Sequence, residues 1–216
     1  MLTRRDVIKN LARLFLLSVT TTGFWFSKIP TAIAEIKKRI LSKDTDPKSL
    51  RNEDPQRLDT RNLKIMPLEA FETMGDKDIF INPEVWRLQL TGAIVKPIQF
   101  TYKEILDLPS IEREVLLICP GVFANHGSWK GISIQELMKK TDVTIKPSKI
   151  FIYGRSHGDD RKEQFKIDEI KMDKVFLAYA VNGQKLPLKH GSPLRVVAED
   201  HFGSEWVKYV YKIEIN

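Results

Sequence analysis

Glu114-Val115-Leu116-Leu117-Ile118-Cys119-Pro120-Gly121 carries the only cysteine of the chain at the end of an apolar run. A run of this kind closed by Pro-Gly reads as a buried strand that delivers its last residue to a turn, where a site can lie. Downstream, Trp129-Lys130-Gly131 leads into Ser133-Ile134-Gln135-Glu136, a capping-box pattern that predicts a short helix to Lys140. A lone cysteine is ordinarily a small packed hydrophobe. The rest of the chain makes more sense if this thiol is a ligand.

On either side of that strand the pattern is one of short elements. Residues 86–90 alternate and read as a strand, and Thr91-Gly92 turns the chain toward residues 94–100. Thr101-Tyr102-Lys103-Glu104 is a second capping box, so a helix starts at Thr101 and stops before Pro109. After the Ser133 helix come a strand over 149–153, a polar loop over 154–160, a strand near 163–166 and a short helix over 168–172. Residues 175–181 form a strand closed by Asn182-Gly183, a strong turn signal. Strands over 194–199 and 206–215 complete the set. Many short strands with short helices, lacking regular βαβ alternation, predict a mixed-sheet α+β domain. There is no internal repeat, no Gly-rich phosphate loop and no dinucleotide fingerprint.

The 216 residues suit one sizeable domain with a leader. Thr3-Arg4-Arg5-Asp6 is followed by a moderately apolar run over 11–26 and then by Ala32-Ile33-Ala34. Paired arginines, an apolar stretch and a small-x-small site describe a twin-arginine export signal over residues 1–34. An uncleaved anchor is the alternative, although the run is short for a span. Residues 35–66 are charged and aperiodic, a linker that wraps or stays mobile, and the domain proper occupies 67–216. The leader carries Arg4, Arg5, Lys9, Arg13 and Lys28 against Asp6, so without it the net charge falls from +7 by four to +3. That places most of the basic bias outside the fold and argues against a nucleic-acid partner. Outside the cytoplasm a single thiol has no intramolecular disulfide partner. It is then packed, paired between molecules or metal-bound.

Candidate chemistry rests on Cys119, the four histidines 126, 157, 190 and 201, and the acids near them. No Cys/His spacing fits zinc. A cofactor-free thiol enzyme pairing Cys119 with a histidine stays open. Lys189-His190-Gly191-Ser192-Pro193-Leu194-Arg195 sets a histidine and an arginine around a turn, and Arg195 there offers a planar fork to phosphate or carboxylate.

The chain resembles the molybdopterin-binding oxidoreductase domain of the sulfite oxidase family, within it the periplasmic branch of the methionine-sulfoxide reductase catalytic subunit. Four stretches carry the resemblance: residues 86–92 with Pro97; Cys119 with Trp129-x-Gly131; residues 177–187 running into 190–197; and Phe202-Gly203 with 206–210 and 213–215. The resemblance implies a sulfite-oxidase-type fold and a Mo-molybdopterin cofactor. Cys119 would be the thiolate ligand to molybdenum and Tyr179 an active-site hydroxyl. His190 and Arg195 would hold the pterin phosphate, and Trp206, Val207 and Lys208 would hold the same cofactor. Gly154 and the pair Phe71-Glu72 match further cofactor contacts less closely.

It further implies a monomeric catalytic subunit exchanging electrons with a separate cytochrome or membrane haem subunit. The reaction would be oxygen-atom transfer to or from a small sulfur oxyanion or a sulfoxide. Two features depart from the sulfite-oxidising pattern: residues 71–80 contain no arginine, and residues 120–127 replace an arginine-rich stretch. Both weaken a cationic pocket for a divalent anion. Arg155, His157 and Lys130 are the candidates to substitute. A fold that keeps the cofactor without turnover, as a binding or electron-relay module, is the rival reading.

Overall fold

The computed structural model describes residues 37–216; the export signal read at residues 1–34 lies outside them. In chain order the elements are β1 (Arg39–Ile40), β2 (Leu58–Asp59), β3 (Arg87–Gly92), β4 (Ile98–Thr101), α1 (Tyr102–Leu106), β5 (Ser110–Cys119), β6 (Phe123–Ile132) and α2 (Ile134–Met138). They continue with β7 (Lys149–Gly154), β8 (Arg161–Lys166), α3 (Ile167–Lys171), β9 (Val175–Val181), β10 (Gln184–Lys185), β11 (Arg195–Ala198) and β12 (Val210–Ile215). One sheet runs β10-β9-β6-β5, with β11 also on β9. The other runs β4-β3-β12-β7-β8, in which only β3 and β12 are parallel. This is the expected mixed-sheet α+β class.

The unbroken apolar run of β5 is explained by two cores. Val115 and Leu117 join the main cluster, to which both sheets contribute, among others through Leu88, Ile152 and Ile213 of one and Trp129, Leu177 and Val196 of the other. Leu116 and Ile118 point the opposite way into a second cluster with Leu41, Leu50, Leu58, Leu63 and Ala124. A strand covered on both faces needs apolar residues at successive positions. The charged segment 37–66 thus wraps the back of β5 and β6 with four leucines. The parallel pair of β1 and β2 and the bond from Gly121 N to Arg51 O at 3.0 Å tie it down.

Helix starts follow the capping rules. At α1, Glu104 N donates to Thr101 Oγ1 at 3.1 Å and Thr101 N donates to Glu104 Oε2 at 2.7 Å, the full reciprocal box. At α2 only half of the box forms: Ser133 Oγ accepts from Gln135 N, while Glu136 pairs with Lys139. That helix ends at Met138, short of Lys140.

Two strands differ from expectation. β6 has no apolar alternation, yet it pairs with β5 along its whole length and then with β9. Gly131 makes the second pairing close: a Cβ there would sit 1.8 Å from Leu177 O. The strand expected over 206–215 begins only at Val210, because Tyr209 turns the backbone with φ 52° and both Tyr209 and Val210 are buried.

Candidate molybdopterin pocket

Cys119 ends β5 where the chain turns through Pro120 and Gly121, with Val122 N donating to Cys119 O at 3.0 Å. Gly121 takes φ 74°, which its lack of a Cβ permits. The thiol is partly buried, and burial pushes its pKa up. It opens on a cavity of about 280 Å³. The walls are the end of β5, residues 72–76, residues 203–204 and 206–209, and the arginines Arg155, Arg161 and Arg195.

Local bonds hold these walls. Asn125 of β6 pins Glu72 in both directions: Glu72 N donates to its Oδ1 at 3.2 Å, and its Nδ2 donates to Glu72 O at 2.8 Å. Phe202 bridges to Ile118, which brings Gly203 against the end of β5. Lys208 Nζ lies within 2.7–3.0 Å of Thr73 Oγ1, Met74 O, Asp76 O and Lys189 O, so one ammonium gathers the 73–76 strap and the turn before β11.

Four cations, Arg155, Arg161, Arg195 and Lys208, line the cavity against two acids, Glu72 and Asp76. Arg195 is 3% exposed, and its guanidinium donates only to main-chain carbonyls: Val196 O at 3.3 Å, His190 O at 3.1 Å and Trp206 O at 3.5 Å. Trp129 and Trp206 flank it, with ring centroids 5.0 and 5.4 Å away. Among the described residues no carboxylate pairs with it, and burial pulls its pKa down to about 9. Lys208 is drawn down to about 8 by burial and by Arg195. His190 is buried beside them with Nε2 unbonded. Burial first, then Arg195, Lys189 and Lys208, lower its pKa to about 3, so the ring is neutral.

Five of the residues expected at the site therefore line one cavity: Cys119, Arg195, Trp206, Val207 and Lys208. His190 stands behind it, edge-on to Phe71 at 6.0 Å, while Glu72 is in the wall. Gly154 is outside the lining and serves packing, since a Cβ there would sit 2.0 Å from Lys208 O.

Tyr179 is a correction. Cys119 pairs with Phe123 at one end of the β5–β6 hairpin, whereas Ala180 pairs with Lys130 at the other. Seven residues of extended strand separate those positions, about 23 Å at ~3.3 Å per residue. Tyr179 instead packs on the main core and lies close enough to Tyr102 to raise the latter's pKa, after burial.

Of the proposed substitutes for the missing arginine, only Arg155 reaches the cavity. His157 bonds exposed Asp78 at 2.8 Å, and Lys130 shares the remote end of β6. Arg161, which also lines the cavity, escapes the sequence reading; its position opening β8 after the 154–160 loop is the signal that could have found it. None of the four histidines lines the cavity with Cys119, so the geometry supplies no imidazole base for a thiol nucleophile there.

Among the described residues no group of three or more His, Cys, Asp or Glu is placed to hold a metal ion. An unpaired buried cation, an unbonded imidazole nitrogen and a lone thiol around one cavity fit an anionic cofactor that brings its own metal ligands.

Comparison with known proteins agrees. Residues 75–216 match the family model of the oxidoreductase molybdopterin binding domain. The spinach (Spinacia oleracea) nitrate reductase [NADH] is 26% identical over 162 residues, covering 60% of this chain and 17% of its own. The Arabidopsis thaliana nitrate reductase [NADH] 1 is 26% identical over 160 residues, covering 59% and 17%. The chain thus spans about a sixth of the length of these relatives. The sulfane dehydrogenase SoxCD from Paracoccus pantotrophus superposes with a TM-score of 0.64 at 21% identity, over 91% of this chain and 58% of that one. It shares the fold.

Proposed function

The chain belongs to the oxidoreductase molybdopterin binding domain family, and from that premise we propose that it is an exported oxidoreductase acting by oxygen-atom transfer on a small sulfur oxyanion or sulfoxide. The observation that carries the reading is Arg195, a fully buried guanidinium without a carboxylate, in the wall of the cavity to which Cys119 opens. A buried charge is stable only when it is compensated, and a cofactor phosphate would compensate this one.

Cys119 would ligate the metal, Arg195 and Lys208 would hold the phosphate, and Trp206 and Val207 would shape the wall. His190, neutral and with Nε2 free, offers one further hydrogen bond. Bound molybdopterin would supply the redox chemistry, a metal that exchanges two electrons as an oxygen atom is transferred. Arg155 and Arg161 are half-exposed in the same wall and would meet an anionic substrate. Residues 71–80 contain no arginine and residues 120–127 replace an arginine-rich stretch, which weakens a pocket for a divalent anion and favours a sulfoxide over sulfite. Electrons would pass to or from a separate haem-bearing partner. The twin-arginine segment supports assembly before export, in keeping with a cofactor loaded in the cytoplasm.

The test is elemental analysis of the full chain purified from a host that makes molybdenum cofactors, with Cys119→Ser alongside. Near-stoichiometric molybdenum with pterin is expected in the wild type, and less metal in the variant. Metal-free wild-type protein from that host would overturn the reading.

A further inference from the structure

His201 lies outside the cavity, just before the segment that forms one of its walls. Both of its ring nitrogens face carboxylates: Nδ1 is 2.8 Å from Glu205 Oε1, and Nε2 is 2.9 Å from Glu169 Oε1. The side chain is 15% exposed and meets the Phe165 ring edge-on at 5.4 Å. A neutral imidazole carries one N–H, so its other nitrogen would set a lone pair against a carboxylate oxygen. With both nitrogens protonated, the ring makes two charge-assisted bonds instead.

We propose that His201 is a positioning residue, an imidazolium that clamps the cavity wall formed by residues 203–208 to α3. The connection is short. His201 O accepts from Trp206 Nε1 at 3.3 Å, and Glu205 Oε2 accepts from Phe202 N at 3.2 Å, so the clamp fixes both ends of the turn that presents Gly203, Ser204 and Trp206 to the cavity. Among the described residues the groups facing it come from three segments. From α3 comes Glu169, whose other oxygen accepts from Lys166 N at 2.9 Å; β8 contributes Phe165. On its own segment lie Glu205 and Asp200, and Lys38 and Lys174 take the Asp200 charge. Arg161 is engaged by Glu163 and Ser204 O. Burial lowers the His201 pKa, but the two carboxylates outweigh it and the net direction is up.

The sign follows. A base raised in the folded state stabilises fully below its unfolded value, about 6.5, and the contribution is lost as pH rises through the folded value. Loss of one charge-assisted bond corresponds to about a tenfold change in an equilibrium.

The experiment measures thermal unfolding of the full chain across pH 5.5 to 9.5, for the wild type and His201→Gln. The gap between them is expected to be widest at pH 6 and to close at alkaline pH. In Glu205→Gln, which leaves one carboxylate, the gap to the corresponding double variant closes at lower pH. Should a variant not fold, the imidazole nitrogen resonances of the wild type decide: both ring nitrogens are protonated at pH 7 if the clamp exists. A pH-independent gap, or a singly protonated ring at pH 6, overturns it.

The consequence for the cofactor alone rests on the function proposed above. Molybdenum loss on dialysis should be about tenfold faster at pH 9 than at pH 6 in the wild type beyond whatever His201→Gln shows. Lys208 titrates in both proteins and cancels. Equal pH dependence in the two, with the thermal gap still closing, overturns the link to the wall and leaves the metal content itself as the separate test of function.

Discussion

Arg195 and the pair Arg155 and Arg161 border the same cavity but stand in opposite electrostatic conditions. Arg155 pairs with Asp160 at 2.9 Å and stacks on Tyr211 at 3.9 Å; Arg161 pairs with Glu163 at 2.9 Å. Their side chains are 53% and 52% exposed. Arg195 is enclosed by two indoles and bonded only to carbonyls. The exposed arginines are already compensated and solvated, so their charge is available only weakly. Among the described residues the buried one has no counter-ion, and that deficit marks where an anion fits.

The contrast is broken most decisively at Arg195 itself. Arg195→Met keeps much of the volume and removes the charge; cofactor affinity should fall by about 2–5 kcal/mol, the usual loss when one partner of a desolvated charge pair is deleted. The cofactor-free protein should melt no lower than wild type, since an uncompensated buried charge has been removed. Calorimetry of both forms checks this, and a strongly destabilised cofactor-free variant would make Arg195 a structural residue instead.

His190 supplies the next effect. Its folded pKa of about 3 lies below the unfolded value, so in acid the unfolded chain binds a proton that the native state does not. Stability should fall as pH drops below about 6.5, by ~1.4 kcal/mol per unit until pH approaches the folded value. Urea titrations at pH 6 and 4.5 should show that slope reduced in His190→Gln.

Lys208 sharpens the comparison without a large change in stability. Burial and Arg195 hold it near 8, so Arg195→Met should move it upward, read by its side-chain nitrogen resonance. An unchanged value would mean that the two cations do not share a field. The smallest effect is expected at Arg155→Gln and Arg161→Gln, each under about 1 kcal/mol in stability and near wild type in cofactor content, as for exposed ion pairs.

The strand that delivers Cys119 was legible because burial on both faces writes itself as consecutive apolar residues. β6, its partner, was not: Asn125 and His126 turn inward to bond Glu72 and Lys64 O, and Gly127 and Gly131 are glycines because Phe71 and β9 press against them. Its pattern records contacts with distant segments, which a local period does not reveal. The alternation at 206–215 misled for the reverse reason, continuing through a bend at Tyr209 that only tertiary packing imposes. Of the residues expected at the cofactor, 195 and 206–208 line one cavity and 190 lies behind it, bonded through its carbonyl to Arg195. Tyr179 does not, because strand register rather than motif spacing decides what meets the thiol.

The four leucines of the 37–66 wrap bear on how a minimal fragment could be engineered. The family match begins at residue 75, yet a chain trimmed there would leave Leu116, Ile118 and Ala124 facing water on the outer side of the cysteine hairpin. Such a stripe on a two-stranded surface invites association with other copies. A recombinant domain cut to the family boundary should therefore be recovered as aggregate, while one starting at residue 37 keeps its own cover.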